Sequence, residues 1–246
     1  MVDLLIPEQR QVRFPAERSL GELYLVSPEG RSVFFGEATG LVTVPAGKFL
    51  SLYYSFDPTY GLRPLLELPA DALLSISFLG SDITDDELLA IGRLVEIREI
   101  DISCTAIGDT GVACLATLVK LTKLNLSSTK VTDQGLAVLS HFKHLEELVL
   151  DDTHIGDGGL SYAAKLPKLK TLSLSFTRVT NKGLAKLKQV AHLERLRLNC
   201  TRISDDGLTH VARMQSLKEL WVRSTDVTYP GLVELTKWLS DCEIIR

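Results

Sequence analysis

The sequence has 246 residues, of which 45% are hydrophobic, and its 27 Lys and Arg against 31 Asp and Glu give a net charge of −4. Proteins that bind phosphate backbones present a strongly basic face, so this balance argues against a nucleic-acid partner. No run of about 18 apolar residues occurs and the first residues lack the pattern of a secretion signal, so we expect neither a membrane span nor secretion. The four cysteines form no CxxC pair and show no zinc-site spacing. We therefore predict a soluble, cytoplasmic chain.

Short apolar or alternating segments separated by turn sequences make up the first 68 residues. The segments are GELYLV, RSVFFGEA, LVTVP and KFLSLYY, and the separators include SPEG and PAG. This alternation, with Gly and Pro between the segments, is typical of antiparallel strands. We predict a small antiparallel β-module over residues 1–68, which either caps the segments that follow or serves as a separate binding or targeting module.

One apolar pattern, LxxLxL, then returns every 24 residues. Its seven copies begin at Leu73, Ile97, Leu121, Leu145, Leu169, Leu193 and Leu217. The pattern predicts a short strand whose alternate residues point inward. A single copy cannot bury its apolar side alone, whereas stacked copies can. We therefore predict an α/β solenoid over residues 69–240, closed by a capping strand over residues 241–246.

The second half of each copy follows the pattern seen in SSTKVTDQGL at 127–136 and SFTRVTNKGL at 175–184. Thr132 occupies a helix N-cap position, and Asp133 falls in the first helical turn, where a carboxylate interacts favourably with the helix dipole. We expect Thr129 and its equivalents to form hydrogen bonds between neighbouring coils. Calcium needs six to eight oxygens around one point, whereas each coil offers one carboxylate, so we expect no metal site.

This pattern resembles the leucine-rich repeat, in particular the cysteine-containing subtype LxxLxLxxCxx(I/V)TDxGLxxL, which is best known in F-box substrate receptors. The resemblance covers residues 73–240, with Thr in place of Cys, as in many bacterial leucine-rich repeat proteins. It implies a right-handed solenoid of seven strand–turn–helix coils that recognises proteins. The stretch LPADALLSISFL at 68–79 is similar to the start of an F-box, but its apolar residues keep the 24-residue spacing, which favours a repeat.

The variable residues of LxxLxL point away from the core and are expected to form the concave face of the solenoid. Glu147 and Asp151, with Glu146 and Asp152 beside them, predict an acidic patch. A basic and aromatic patch follows two coils later. Trp and Arg are frequent interface hot spots, and opposed charges would orient a charged partner. The predicted partner-binding residues are Glu147, Val149, Asp151, Phe176, Arg195, Arg197, Asn199, Trp221 and Arg223.

The alternative for this face is that its charges only maintain solubility and that Trp221 covers the end of the solenoid. None of the five histidines has a Ser or Cys nucleophile and an orienting carboxylate at a predictable distance. We therefore predict a non-enzymatic protein–protein interaction scaffold with no cofactor, no metal, no small-molecule substrate, no nucleic-acid partner and no membrane partner. Two other hypotheses are a substrate-recognition subunit of a ubiquitin-ligase-like complex or bacterial effector, with a recruiting motif in residues 1–72, and a structural fragment of a longer chain.

Overall fold

The computed structural model describes residues 8–187, 190 and 192–246. The strands in this part of the chain are β1 (Arg10–Arg13), β2 (Gly21–Val26), β3 (Ser32–Glu37), β4 (Leu41–Val44), β5 (Phe49–Tyr54), β6 (Ser75–Ser77), β7 (Glu99–Asp101), β8 (Lys123–Asn125), β9 (Glu147–Val149), β10 (Thr171–Ser173), β11 (Arg195–Arg197), β12 (Glu219–Trp221) and β13 (Glu243–Ile245). From β6 onward the strands are three residues long and begin 24 residues apart. The LxxLxL segments therefore form strands at the spacing that the sequence predicts.

Most of these strands belong to one sheet. Among the described residues its order is β13-β12-β11-β10-β9-β8-β7-β6-β5-β2-β3, while β1 and β4 form a separate antiparallel pair. The strands from β5 to β13 run in parallel, and each residue lies beside its equivalent in the next repeat, as Leu148 does beside Leu172. Parallel pairing follows because every connection between repeat strands crosses to the other side of the sheet and returns.

The connections carry short helices. The α-helices are α1 (Asp109–Ala113), α2 (Leu160–Ala163), α3 (Asn181–Leu187), α4 (Asp205–Val211) and α5 (Tyr229–Thr236), and 3₁₀ helices cover Arg63–Glu67, Asp86–Arg93, Cys114–Thr117 and Gly135–His141. The predicted helices are thus present, but those at Asp86–Arg93 and Gly135–His141 are 3₁₀ helices. A 3₁₀ helix rises about 2.0 Å per residue, against about 1.5 Å in an α-helix, so a few residues span a greater length in these repeats.

One hydrophobic core extends through the described residues from Val12 to Cys242. The repeat positions fill it, and Leu145, Leu148 and Leu150 of one repeat are completely buried. Burying a leucine side chain contributes roughly 1.5–3 kcal/mol relative to leaving it exposed. Each repeat therefore gains its stability by covering the apolar side of the next one.

The N-terminal strands continue the sheet of the repeats. β5 pairs with β6, which places Leu52 beside Ile76, and both side chains belong to the same core. β2 and β3 extend this sheet further in antiparallel pairing. The predicted boundary at residue 68 stays a prediction, and residues 1–7 of the predicted module lie outside the described residues.

A row of threonines closes the turns that follow β7 to β12. The Thr129 hydroxyl donates to the backbone oxygen of Leu126, three residues earlier in the same repeat, at 2.6 Å. Equivalent bonds are made by Thr105, Thr153, Thr177, Thr201 and Thr225. The prediction that these threonines connect neighbouring coils is therefore wrong. The reason is that the strand has ended at this point, so the buried carbonyl group needs a local partner.

The connection between repeats comes from the aspartate of TDxGL instead. Asp109 accepts hydrogen bonds from the backbone N–H of Thr132 at 2.8 Å and from its hydroxyl at 2.6 Å. Equivalent bonds to the following repeat are made by Asp85, Asp133, Asp157, Asn181 and Asp205. These side chains were predicted to act on the dipole of their own helix. Asp109 and Asp205 do lie in the first turns of α1 and α4, and the interaction with the dipole stays a prediction. The hydrogen bonds show an additional role, which is to bind groups at the point where the next repeat begins its helical segment.

The glycine of the same motif makes room for this carboxylate. A Cβ atom added at Gly183 would lie 2.5 Å from Oδ1 of Asp157, and one added at Gly111 would lie 2.5 Å from Oδ1 of Asp85. The aspartate of one repeat therefore fits against the glycine of the next. This contact explains why Asp and Gly recur together at a fixed spacing.

Candidate functional site

The two outer residues of each repeat strand point away from the core and form a surface that we call the open face. The middle residue of each strand is buried, as Leu148 and Leu196 are. Five of the predicted partner-binding residues lie on the open face: Glu147, Val149, Arg195, Arg197 and Trp221. The other four lie in the turns that follow the strands: Asp151, Phe176, Asn199 and Arg223.

Arg197 and Trp221 form a stacked pair on the open face. They lie directly beside each other in β11 and β12, and the guanidinium carbon of Arg197 is 4.7 Å from the centroid of the Trp221 ring. A cation over an aromatic ring is attracted by about 0.5–1 kcal/mol at an exposed site. This attraction favours the paired arrangement in the free protein. Two residue types that dominate interface hot spots are therefore preorganised side by side.

Arg195 is engaged within the protein. Its Nε atom is 3.3 Å from Oε1 of Glu219, and its Nη1 atom donates to Oγ1 of Thr171 at 3.3 Å. The ion pair is partly exposed and contributes little to stability, but it compensates the arginine charge. Arg195 therefore adds less positive charge to the open face than the sequence suggests.

Lysines interrupt the predicted acidic patch. Glu146 pairs with Lys170 at 2.7 Å, and Lys123 pairs with Glu99 at 2.7 Å and lies beside Glu147 in the sheet. Partial burial lowers the pKa of Lys123, but the hydrogen bond to Glu99 and the surrounding glutamate charges outweigh this effect, so the pKa is raised overall. Lys123 therefore stays charged, and this part of the open face carries alternating charges.

Asp151 and Asn199 use their side chains to join neighbouring repeats. Asp151 accepts hydrogen bonds from the Ser173 hydroxyl at 2.6 Å and from the backbone N–H of Ser175 at 2.7 Å. Asn199 accepts from the backbone N–H of Arg223 at 2.8 Å. Their first role is therefore to fix the shape of the turns that border the open face.

Phe176 combines high exposure with an unfavourable backbone conformation. Its φ angle is 59°, in the left-handed region that bulky residues rarely adopt, and its side chain is 62% exposed. The equivalent positions also have positive φ angles and carry Gly80, Cys104, Ser128, Asp152, Cys200 and Ser224. The turn therefore requires this conformation, but it accepts small residues. A large exposed ring at this position is therefore not needed for the fold.

Three aromatic residues at the other end of the open face were missed by sequence reasoning. Tyr53 lies beside Ser77 in the sheet, so it faces the same side, and the Tyr24 ring is 5.0 Å from it. The Phe34 ring follows at 5.6 Å from Tyr24. The alternation in KFLSLYY indicated which side chains share a face. It could not show that this strand would pair with the first repeat.

Two depressions lie along the open face. One has a volume of about 230 Å³, and its lining includes Tyr53, Ser77, Asp101, Lys123 and Asn125. The other has a volume of about 450 Å³, and its lining includes Pro28, Arg98, Lys123, Glu147, Lys170 and Arg195. Both bring charged or polar side chains to a recess that a partner's side chain can enter.

The described residues contain no group of three His, Cys, Asp or Glu close enough to hold a metal ion. Nδ1 of His144 lies 3.2 Å from Nζ of Lys168, and Nδ1 of His141 lies 3.1 Å from the backbone oxygen of Val138.

The four cysteines are unpaired, and burial raises the pKa of Cys242 to about 11, so this thiol stays protonated. Within the same part of the chain, no helix has the length and apolar character needed to cross a membrane.

Solved structures with a similar fold include two internalins from Listeria monocytogenes. The internalin inlF has a TM-score of 0.61 and 21% identity, with 79% of this chain and 52% of the internalin covered. Internalin C2 (inlC2) has a TM-score of 0.52 and 20% identity, with 72% of this chain and 81% of the internalin covered. The chain thus spans about half the length of the first internalin, and at these identities the similarity concerns the fold.

No curated protein matches the sequence. A family profile described as Leucine Rich repeat matches five segments: residues 97–116, 117–140, 143–162, 165–188 and 191–212. These segments contain the strands β7 to β11 and the helical segments that follow them. The five segments between residues 97 and 212 are therefore leucine-rich repeats.

Proposed function

We propose that this protein is a non-enzymatic scaffold that binds a partner protein on its open face, which in such solenoids lines the concave side. The observation that carries the proposal is the preorganised Arg197–Trp221 pair. Because neighbouring strands lie about 4.8 Å apart and share one core, the open face presents its side chains in fixed relative positions. A partner can then bind with little loss of side-chain entropy.

The chemistry of the site favours a partner segment with carboxylate groups at the C-terminal repeats. The guanidinium group of Arg197 lies over the Trp221 ring, and the Arg223 side chain is exposed in the neighbouring turn. A guanidinium group binds a carboxylate through two parallel hydrogen bonds. Phe176 supplies an apolar contact three residues after β10. We therefore infer a partner that combines acidic and apolar side chains.

We also propose that the protein acts in the cytoplasm. The four cysteines are free thiols, which fits a reducing compartment. The leucine-rich repeats themselves support a binding role, because repeat scaffolds recognise partners through a surface and need no catalytic group. Nδ1 of His141 lies 3.1 Å from the backbone oxygen of Val138 and 3.4 Å from the hydroxyl of the adjacent Ser140, and this hydroxyl donates to the backbone oxygen of Ala137. Both groups are thus engaged in local contacts at the end of a 3₁₀ helix, which supports a non-enzymatic role.

The test is affinity capture from a lysate with the unchanged protein and with the variants Trp221→Ala and Arg197→Glu. We expect each variant to remain folded and to retain about one tenth or less of the captured partner, as is usual for hot-spot residues. The matched control is Trp238→Ala, which removes the other tryptophan, 63% exposed and just beyond α5. This control should capture as much partner as the unchanged protein.

Circular dichroism and the urea midpoint of each variant show whether the fold is kept. Equal capture by folded Trp221→Ala and by the unchanged protein would contradict the proposal. If only Trp238→Ala lost partner capture, the binding site would lie on the helical side of the solenoid. A loss with Phe176→Ser, which installs the residue found at two equivalent turns, would extend the site beyond the end of β10.

A further inference from the structure

Three aromatic rings lie in a row across the N-terminal end of the open face. Tyr53, Tyr24 and Phe34 come from the neighbouring strands β5, β2 and β3, and successive ring centroids are 5.0 Å and 5.6 Å apart. We call these residues the aromatic row. Tyr53 is 50% exposed and Phe34 is 56% exposed. An exposed apolar patch that polar residues border is typical of an interaction site.

Two glutamates, which we call the acidic pair, border the aromatic row. Glu22 lies directly opposite Glu37 in the pairing of β2 with β3, and directly opposite Tyr53 in the pairing of β2 with β5. Phe35 is an extra residue that β2 does not match, so Glu37 lies on the same face as Phe34. Side chains that face each other across strands have Cβ atoms about 4.5–5.5 Å apart. The carboxylate of Glu22 therefore lies beside the Tyr53 ring and beside a second carboxylate.

The charges of the acidic pair are not compensated within the described part of the chain. On the repeat strands, Glu99 pairs with Lys123 at 2.7 Å. Among the described residues, neither Glu22 nor Glu37 forms an ion pair. Like charges directly opposite each other in a sheet are unfavourable. A cation bound beside the acidic pair would remove this repulsion.

Neighbouring hydroxyl groups orient both carboxylates. The Tyr24 hydroxyl donates to Oε2 of Glu22 at 2.9 Å, and the Ser19 hydroxyl donates to Oε2 of Glu37 at 2.6 Å. The second oxygen of each carboxylate stays able to accept a hydrogen bond from a ligand. The acidic pair is therefore preorganised as an acceptor for a donor with several N–H groups.

An arginine elsewhere in the chain shows which side chain suits a ring beside a carboxylate. The guanidinium carbon of Arg18 lies 3.8 Å from the centroid of the Tyr60 ring, and its Nη1 atom lies 3.5 Å from Oδ2 of Asp57. A guanidinium group is planar and always charged, so it can stack on a ring and bind carboxylates at the same time. The aromatic row and the acidic pair offer both contacts on an exposed surface.

We propose that the N-terminal end of the open face binds an arginine side chain of the partner protein, with its guanidinium group against Tyr53 and the acidic pair. This assignment rests on the proposed scaffold function, which makes the ligand part of a protein. Arg197 lies six strands from Tyr53 in the sheet, or roughly 29 Å at about 4.8 Å per strand. The partner therefore presents an arginine at one end of the open face and carboxylates at the other, which sets its orientation.

The test is a nuclear magnetic resonance titration of the full chain with the capped pentapeptide Ala-Ala-Arg-Ala-Ala. We expect saturable shifts of the backbone amide signals of Tyr24, Phe34 and Tyr53. The same peptide with glutamine in place of arginine has no charge and should bind about tenfold more weakly. Equal binding of the two peptides would overturn the proposal, because the aromatic row would then be an unselective apolar contact.

Variants separate the two contacts. Tyr53→Ala and Glu22→Gln should each weaken binding of the arginine peptide about threefold, and Glu22→Gln combined with Glu37→Gln about tenfold. The matched controls are Glu67→Gln in a 3₁₀ helix and Tyr229→Ala in α5, whose exposed side chains lie outside the sheet and should leave binding unchanged.

The urea midpoint of the double glutamine variant distinguishes binding from a folding defect. Because the variant removes opposed like charges, we expect a midpoint at least as high as that of the unchanged protein. Unchanged peptide binding by this folded variant would overturn the proposal. The titration uses no partner protein, so capture that depends on Trp221 without peptide binding contradicts the arginine site alone. Peptide binding without an effect of Trp221→Ala on capture supports the arginine site and contradicts the contact at the C-terminal repeats.

Discussion

Gly183 shows how one residue type can be favoured against its own helix propensity. It lies inside α3, where glycine is less favourable than alanine by about 1 kcal/mol. Yet a Cβ atom at this position would meet Oδ1 of Asp157 at 2.5 Å and a methyl group of Leu160 at 2.9 Å. Oδ1 of Asp157 is held by the backbone N–H of Thr180, so it cannot move away without losing a hydrogen bond.

We therefore expect Gly183→Ala to destabilise the protein by about 1–2 kcal/mol, although helix propensity alone predicts a gain. Urea unfolding followed by circular dichroism measures the difference. Gly156→Ala is the matched control, because a Cβ atom there meets its nearest neighbour at 3.7 Å. An increase in stability for Gly183→Ala would show that the carboxylate has room to move.

At the scale of the elements, Thr228 joins two neighbouring repeats at the start of α5. Its hydroxyl donates to Oδ2 of Asp205 at 2.6 Å, its backbone N–H donates to Oδ1 at 2.8 Å, and its oxygen accepts from the N–H of Gly231. The hydrogen bond from the hydroxyl, and next the one from the backbone N–H, lower the pKa of Asp205. Because the pKa of Asp205 is lower in the folded than in the unfolded state, its carboxylate stabilises the fold at pH values above the unfolded-state pKa. This stabilisation is lost as the pH falls through the folded-state pKa.

Replacing Thr228 by Val keeps the shape of the side chain and removes the hydroxyl donor. We expect the pKa of Asp205 to rise towards its ordinary value of about 3.9. The stability deficit of the variant should be largest near neutral pH and should shrink below about pH 4, leaving only the part due to the lost cap of α5. Urea midpoints at neutral and acidic pH, with a carbon-13 titration of the Asp205 carboxyl group, measure both effects. A deficit that stays constant with pH would contradict this account.

The repeats and the N-terminal strands share one core and one sheet. Leu52 of β5 is completely buried and lies beside Ile76 of the first repeat strand. In stacked repeats, stability is the sum of each unit's own stability and its contacts with its neighbours. A loss of stability at the N-terminal end of the stack should therefore also destabilise the C-terminal end, through the contacts between neighbouring repeats.

The two tryptophans, Trp221 and Trp238, report on the C-terminal repeats. We expect Leu52→Ala to cost about 2–5 kcal/mol and to lower the urea midpoint of tryptophan fluorescence together with that of circular dichroism. If the fluorescence midpoint stayed at the value of the unchanged protein while part of the circular dichroism change moved to lower urea, the two ends would unfold separately.

The repeat strands and the buried leucines could be predicted from the amino-acid sequence. Strands and buried positions both follow from the spacing of apolar residues along the chain. The LxxLxL pattern at a fixed interval defines which side chains point inward, whichever strands lie next to it. The residues of the open face were predictable for the same reason, as the positions of Arg197 and Trp221 show.

The hydrogen bonds between repeats could be identified only in the folded chain. Thr129 and Asp109 both carry oxygen atoms, and only the stacking distance determines that the threonine bonds within its turn while the aspartate reaches the next repeat. The same holds for Tyr53 on the open face and for the position of β3 at one edge of the sheet that the described residues form, because strand neighbours follow from the packing of the whole chain. Spacing along the chain fixes which way a side chain points, and three-dimensional packing fixes what it meets.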